Sequence, residues 1–112
     1  MPRLEHQRAP GHVDAALNLG AMLCESGRAA EAALLYDAAI AASPQAALLH
    51  FNRAIALEDL QRDREALQAY RHSLALDPEL ADAHYNAARL LERMNDAQGA
   101  LRHYSAYRRL QR

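Results

Sequence analysis

The chain has 112 residues, 51% apolar and 24% charged, enough for one domain with a modest core and unlike a disordered tail. A formal net charge of -1 excludes a whole-domain nucleic-acid binder of the basic type. A single cysteine, Cys24, excludes an intramolecular disulfide, and no uninterrupted apolar run reaches membrane-spanning length.

Residues 1–12 are polar, contain Pro2, Pro10 and Gly11, and read as a flexible N-terminal tail. They lack the apolar segment of a secretory signal, and with the lone cysteine this points to a reducing, cytoplasmic setting. A first amphipathic helix is expected over 13–25, with Val13, Ala16, Leu19, Gly20 and Leu23 on its inner face. Ser26-Gly27 ends it, because glycine supplies the left-handed state of a tight helix exit. Its partner is expected over 29–42, with Ala32, Leu35, Tyr36, Ala39 and Ile40 inward. Ser43-Pro44 stops that helix, and Ser43 is a candidate cap for the next.

The second pair is expected over 45–60 and 64–76. Its turn is weaker in sequence, since Gln61-Arg62 replaces the glycine-containing turn, and Asp63 is the candidate cap. The third pair is expected over 79–94 and 97–110, with Asn95-Asp96 supplying turn and cap. Connections this short force each pair antiparallel.

The pairs repeat. Asn18, Asn52 and Asn86 stand 34 residues apart, as do Leu23, Leu57 and Leu91, then Ala32, Ala66 and Ala100, then Tyr36, Tyr70 and Tyr104, and finally Pro44 and Pro78. One helix pair cannot bury its apolar faces alone, and stacked pairs build a continuous core. Gly or Ala at the eighth position (Gly20, Ala54, Ala88) completes the pattern, which resembles the tetratricopeptide repeat family. The resemblance implies an all-α, right-handed α-solenoid of three antiparallel helix pairs, a superhelix with repeats at 13–46, 47–80 and 81–112. Three departures stand out. The fourth position, often Trp in that family, holds Ala16, His50 and His84. Tyr107 takes a site that is Ala39 in repeat one. No solvating helix follows Arg112, so Leu101 and the stems of Arg102, Arg108 and Arg109 are left to cover the end face.

Nothing reads as an active site: the chain has no phosphate-binding glycine loop, paired cysteines or HExxH motif, and no cofactor, metal or catalysis is expected. His50 and His84 fall at equivalent positions roughly 10 Å apart at helix-packing spacing, too far to share an ion, and read as packing residues. His72 and His103 read as surface residues. Cys24 lies near a helix end whose partial charge opposes a thiolate, and reads as inert. The tyrosine series reads as core wedges, and Arg53 as a residue that snorkels toward Glu58, Asp59 or solvent.

The asparagine series differs, because an amide can both donate to and accept from a peptide unit without reading its side chain. In the resembling family the first helices line a concave groove, which makes Asn18, Asn52 and Asn86 a ladder for an extended peptide. The groove positions carried over residue by residue add Phe51, Tyr85 and Ile55 as an apolar anchor, with Arg89 and Arg93 beside repeat three. Acids, including Asp14, Glu25, Glu58 and Asp59, lie at the other end. Leu17 and Ala21 stand where chaperone-tail-binding members carry basic residues. Arg89 and Arg93, one turn apart, are read as converging on one acidic group of the ligand.

The leading expectation is therefore a non-catalytic module that binds a protein or peptide partner, with no nucleic acid and no membrane. A rival reading is a self-assembling homo-oligomer. Residues 13–46 carry Asp14, Glu25, Glu31 and Asp37 against Arg28, a charge of -3, whereas six arginines against Asp82, Glu92 and Asp96 give residues 81–112 +3. A third reading is the repeat domain of a longer regulator or enzyme.

Overall fold

The computed structural model describes the backbone of residues 2–112 and the side chains of residues 12–112. The described residues form helices only: α1 (Pro2–Glu25), α2 (Ala29–Ala42), α3 (Ala47–Asp59), α4 (Asp63–Leu76), α5 (Ala81–Arg93) and α6 (Ala97–Leu110). None is long and apolar enough to cross a membrane. Helical backbone starts at Pro2, ahead of the expected start near Val13. Pro10 and Gly11 argue against helix in the sequence. Pro2, however, suits a first turn, and Leu4, Glu5, Gln7, Arg8 and Ala9 include strong helix formers. The side chains of the expected tail lie outside the described residues, apart from His12.

Each pair is closed by the same turn. Gly27, Gln61 and Asn95 have positive φ, at 76°, 61° and 64°. The next N–H reaches back over the helix end: Arg28 to the Leu23 carbonyl at 2.8 Å, Arg62 to Leu57 at 2.9 Å and Asp96 to Leu91 at 2.9 Å. This is the Schellman arrangement, which satisfies carbonyls that the helix leaves open. Asp96 then caps α6 by accepting from the Gly99 N–H at 2.9 Å.

The other two expected caps are corrected. Asp63 is the first residue of α4, preceded by Arg62 at the cap position, and its carboxylate accepts from Arg93. Ser43 closes α2 and does not cap α3, which begins at Ala47 after Ala46. The Pro44-Gln45 and Pro78-Glu79 turns take up the residues expected to start α3 and α5. Histidine holds those connections: Nε2 of His50 donates to the Pro44 carbonyl at 3.0 Å, and Nε2 of His84 to the Pro78 carbonyl at 2.9 Å.

Small side chains let the helices approach closely. One cluster joins Ala16, Ala32, Ala33, Tyr36 and Ala39 to Leu49 and Ala56 of α3. The other joins Ala54 and Leu57, from the opposite side of α3, to Ala66, Leu67 and Tyr70 of α4 and to Ala83, Ala87, Ala88, Leu90 and Leu91 of α5. The helix α3 thus belongs to both clusters, which makes the core continuous along the stack. Leu19, expected inward, is 48% exposed. Its counterpart Ala87 is fully buried, because a preceding repeat packs against it.

Candidate functional site

The first helix of each pair carries one asparagine of the series. Asn18 is exposed, whereas Asn52 and Asn86 are half-buried. Asn52 acts on the Tyr36 hydroxyl and Asn86 on the Tyr70 hydroxyl, each favouring the ionised phenol, though burial dominates and raises both tyrosines. An amide offers one acceptor oxygen and two N–H donors, more than one tyrosine hydroxyl can occupy. Each amide therefore keeps bonding capacity for a ligand or water.

Ile55, Asn86, Arg89 and Arg93 meet in one open cleft of about 180 Å³, completed by Glu58, Asp59 and Tyr70. Phe51 sits behind it, its ring 5.9 Å from that of Tyr70. Tyr85 is 39% exposed and packs against Tyr104 at 5.9 Å and Tyr107 at 5.1 Å between ring centres. The Arg89 guanidinium lies 6.0 Å over the Tyr85 ring, at the outer limit of a cation–π contact. Asn18, Asn52, Phe51 and Tyr85 do not line the cleft itself, so the eight sequence-selected residues are not one pocket.

The two arginines differ in what they touch. Arg93 donates to Glu58 at 3.1 Å and to Asp63 at 3.0 Å, both on the preceding repeat. Arg89 makes no ion pair among the described residues. Sequence reasoning paired them on one ligand group, and the structure engages Arg93 within the chain. Arg53 likewise pairs with Asp37 at 2.6 Å, and not with Glu58, Asp59 or solvent alone.

The residues that sequence reasoning undervalued are the tyrosines. The Tyr70 hydroxyl donates to Glu58, and that of Tyr104 to Glu92 at 2.7 Å. Burial, then the neighbouring carboxylate, pushes the Tyr70 phenol well above its ordinary range. The hydrogen bond to Glu92 does most to push Tyr104 up to about 12. Both are neutral donors at physiological pH, and Tyr70 brings a polar tip to the cleft from a ring rooted in the core. A Glu twelve residues before Tyr, in both repeats two and three, was the available signal; repeat one has Cys24 there instead. Burial first, then Asp59 and Glu25, pushes the Cys24 thiol up, away from nucleophilic use.

The histidines are packed in pairs. His50 stacks on His72 with ring centres 4.0 Å apart, and Nδ1 of His84 lies 3.0 Å from Nδ1 of His103. His103 is half-buried in that contact, so the surface reading of it is corrected. Among the described residues no group of three or more His, Cys, Asp or Glu could hold a metal ion.

Residues 47–80 match the family described as Tetratricopeptide repeat. Among solved structures, the chain is similar to the second TPR of Spaghetti (RPAP3) bound to HSP90 peptide SRMEEVD. That likeness has 22% identity and a TM-score of 0.85, over 93% of this chain and 95% of that one. It is also similar to MamA 41-end from Desulfovibrio magneticus RS-1, with 24% identity and a TM-score of 0.82, over 91% of this chain and 58% of that one. MamA MSR-1 C2 gives 26% identity and a TM-score of 0.78, over 94% and 60%. The chain therefore spans less than two thirds of the length of these MamA structures. No curated protein matches the sequence.

Proposed function

Because residues 47–80 match the tetratricopeptide repeat family and the fold is shared with a solved TPR structure, we propose that the chain is a non-catalytic interaction module that holds a polypeptide segment along α1, α3 and α5. The observation that carries this reading is the cleft in which Asn86, Ile55 and Arg89 stand together. The amide can hold a peptide unit, Ile55 offers apolar surface, and Arg89 has a charge not taken by any described carboxylate. A structure of the same fold holds an acidic peptide, SRMEEVD, which supports a peptide as the class of ligand. The preferred ligand is extended, apolar at its centre and acidic beside repeat three. The lone cysteine is in keeping with a reducing, cytoplasmic setting.

The test is peptide binding read by fluorescence polarisation. Two peptides of equal length are compared, one carrying an acidic residue that its neutral partner lacks. Arg89→Glu weakens the acidic peptide far more than the neutral one, and Asn86→Ala weakens both. Equal loss of the two peptides on Arg89→Glu, with helicity unchanged, removes Arg89 from the binding role. An Asn86→Ala variant that binds like the parent removes the amide from it.

A further inference from the structure

The two ends of the stack expose apolar residues at positions that are buried or half-buried where the repeat recurs inside it. On α1, Met22 is 62% and Leu19 48% exposed, whereas Ala56 and Leu90, the counterparts of Met22 at the 34-residue spacing, are both at 0%. On α6, Leu101 is 61% exposed, whereas its counterparts Ala33 and Leu67 are both at 7%. Within the chain these positions are two halves of one junction, in which the second helix of a repeat meets the first helix of the next, as α2 meets α3 and α4 meets α5. Among the described residues nothing packs on the outer face of α1 or the outer face of α6, which correspond to the two halves of that junction. A cleft of about 450 Å³ bounded by Ala97, Ala100, Leu101 and Tyr104 lies on the α6 side, where the register puts a following first helix.

We propose that the occupant is a second copy of this chain: the Leu19–Met22 face of one copy docks on the Leu101 face of another and continues the stack. The register gives the geometry, since the equivalent helices meet twice within one molecule, with Tyr107 of α6 at the position of the buried Ala39 and Ser73. Charge follows from the sequence, with -3 on residues 13–46 and +3 on residues 81–112 drawing opposite ends together. Each copy has one face of each kind, so the contact is head to tail and does not close after two copies.

One position of the junction is mismatched. Where repeat three meets repeat two, Arg93 bridges to Glu58. At the junction between copies the same two positions hold Glu25 and Glu92, which repel. The association is therefore salt-dependent and reversible, and Glu25→Arg improves it.

Sedimentation velocity of residues 1–112 at low salt tests this. The sedimentation coefficient rises with protein concentration and falls again when salt is added. Met22→Asp and Leu101→Asp each abolish that rise without changing helicity, since both sites are exposed. Mixing the two variants restores a 1:1 dimer that grows no further, because each variant keeps one intact face. Glu25→Arg tightens association up to about fivefold, the range of an exposed ion pair. A parent chain that stays monomeric at high concentration and low salt overturns the proposal, as does a variant mixture that stays monomeric. So does either variant alone associating like the parent.

Discussion

Arg93 on α5 donates to Glu58 on α3 at 3.1 Å, and the other oxygen of that carboxylate accepts the Tyr70 hydroxyl from α4. A second guanidinium nitrogen of Arg93 reaches Asp63 at 3.0 Å. One arginine thus ties repeat three to both helices of repeat two at the edge of the cleft. Arg93 is 49% exposed, so each pair is worth roughly 0.5 to 1 kcal/mol. Removing Glu58 costs more, about 1 to 3 kcal/mol, because the Tyr70 hydroxyl loses its acceptor. A double-mutant cycle of Arg93→Ala and Glu58→Ala by urea unfolding yields a coupling of about 0.5 to 1 kcal/mol. Strict additivity of the two losses would show that the bridge contributes nothing.

Gln61 holds the left-handed state, at φ 61°, that Gly27 and Asn95 adopt at equivalent positions. A side chain with a Cβ meets a steric penalty there that glycine escapes and asparagine partly offsets. Gln61→Gly therefore stabilises the chain by about 0.5 to 1 kcal/mol, although it removes a side chain and adds no contact. Asn95→Gly gains less. An unfolding midpoint that falls in Gln61→Gly would locate the cost of this turn elsewhere.

That turn was legible in the sequence because a 34-residue period fixes which positions must behave alike, so a Gln in a Gly position is visible at once. The same period located the helix pairs and their core alanines. It could not place Arg93, whose partners lie 30 and 35 residues back among several acids of equal merit. It also set Leu19 inward, because that position is inward only when a preceding repeat covers it, as at Ala87. The cleft was legible in part: Asn86, Ile55 and Arg89 follow from the register, whereas the entry of Tyr70 depends on how far its ring extends past the core.

His50 is buried and gives its Nε2 proton to the Pro44 carbonyl. Burial lowers its affinity for a further proton, and His72 and Arg53 act in the same direction, against the smaller opposing effect of Pro44. Burial and then His84 lower His103 as well. The unfolded chain thus binds more protons than the folded one near the ordinary histidine value of about 6.5. Stability is full above that value and declines as pH falls through the lower folded values. Urea midpoints measured from about pH 7.5 down to about pH 5, where most carboxylates remain ionised, should fall accordingly. His50→Gln keeps a donor for the Pro44 carbonyl and should flatten part of that slope. An unchanged slope in the variant would remove His50 as its source.

Gly20 sets two effects of similar size against each other. Replacing glycine by alanine within a helix ordinarily stabilises by about 0.5 to 1 kcal/mol. Here a Cβ would overlap Cζ and the hydroxyl of Tyr36, a ring only 1% exposed and held by the core around it. Forcing extra volume into a packed site costs about 1 to 3 kcal/mol, so the overlap wins and Gly20→Ala lowers stability by roughly 1 kcal/mol. The equivalent Ala54 and Ala88, both fully buried, show that a methyl is accommodated at this position in repeats two and three. Introduced into a Tyr36→Phe background, Gly20→Ala should cost less than in the parent, because the hydroxyl is gone while Cζ remains. A gain in stability for Gly20→Ala in the parent, read by thermal or urea unfolding, would mean that Tyr36 withdraws at little cost and that the close approach of α1 and α2 is not fixed by this glycine.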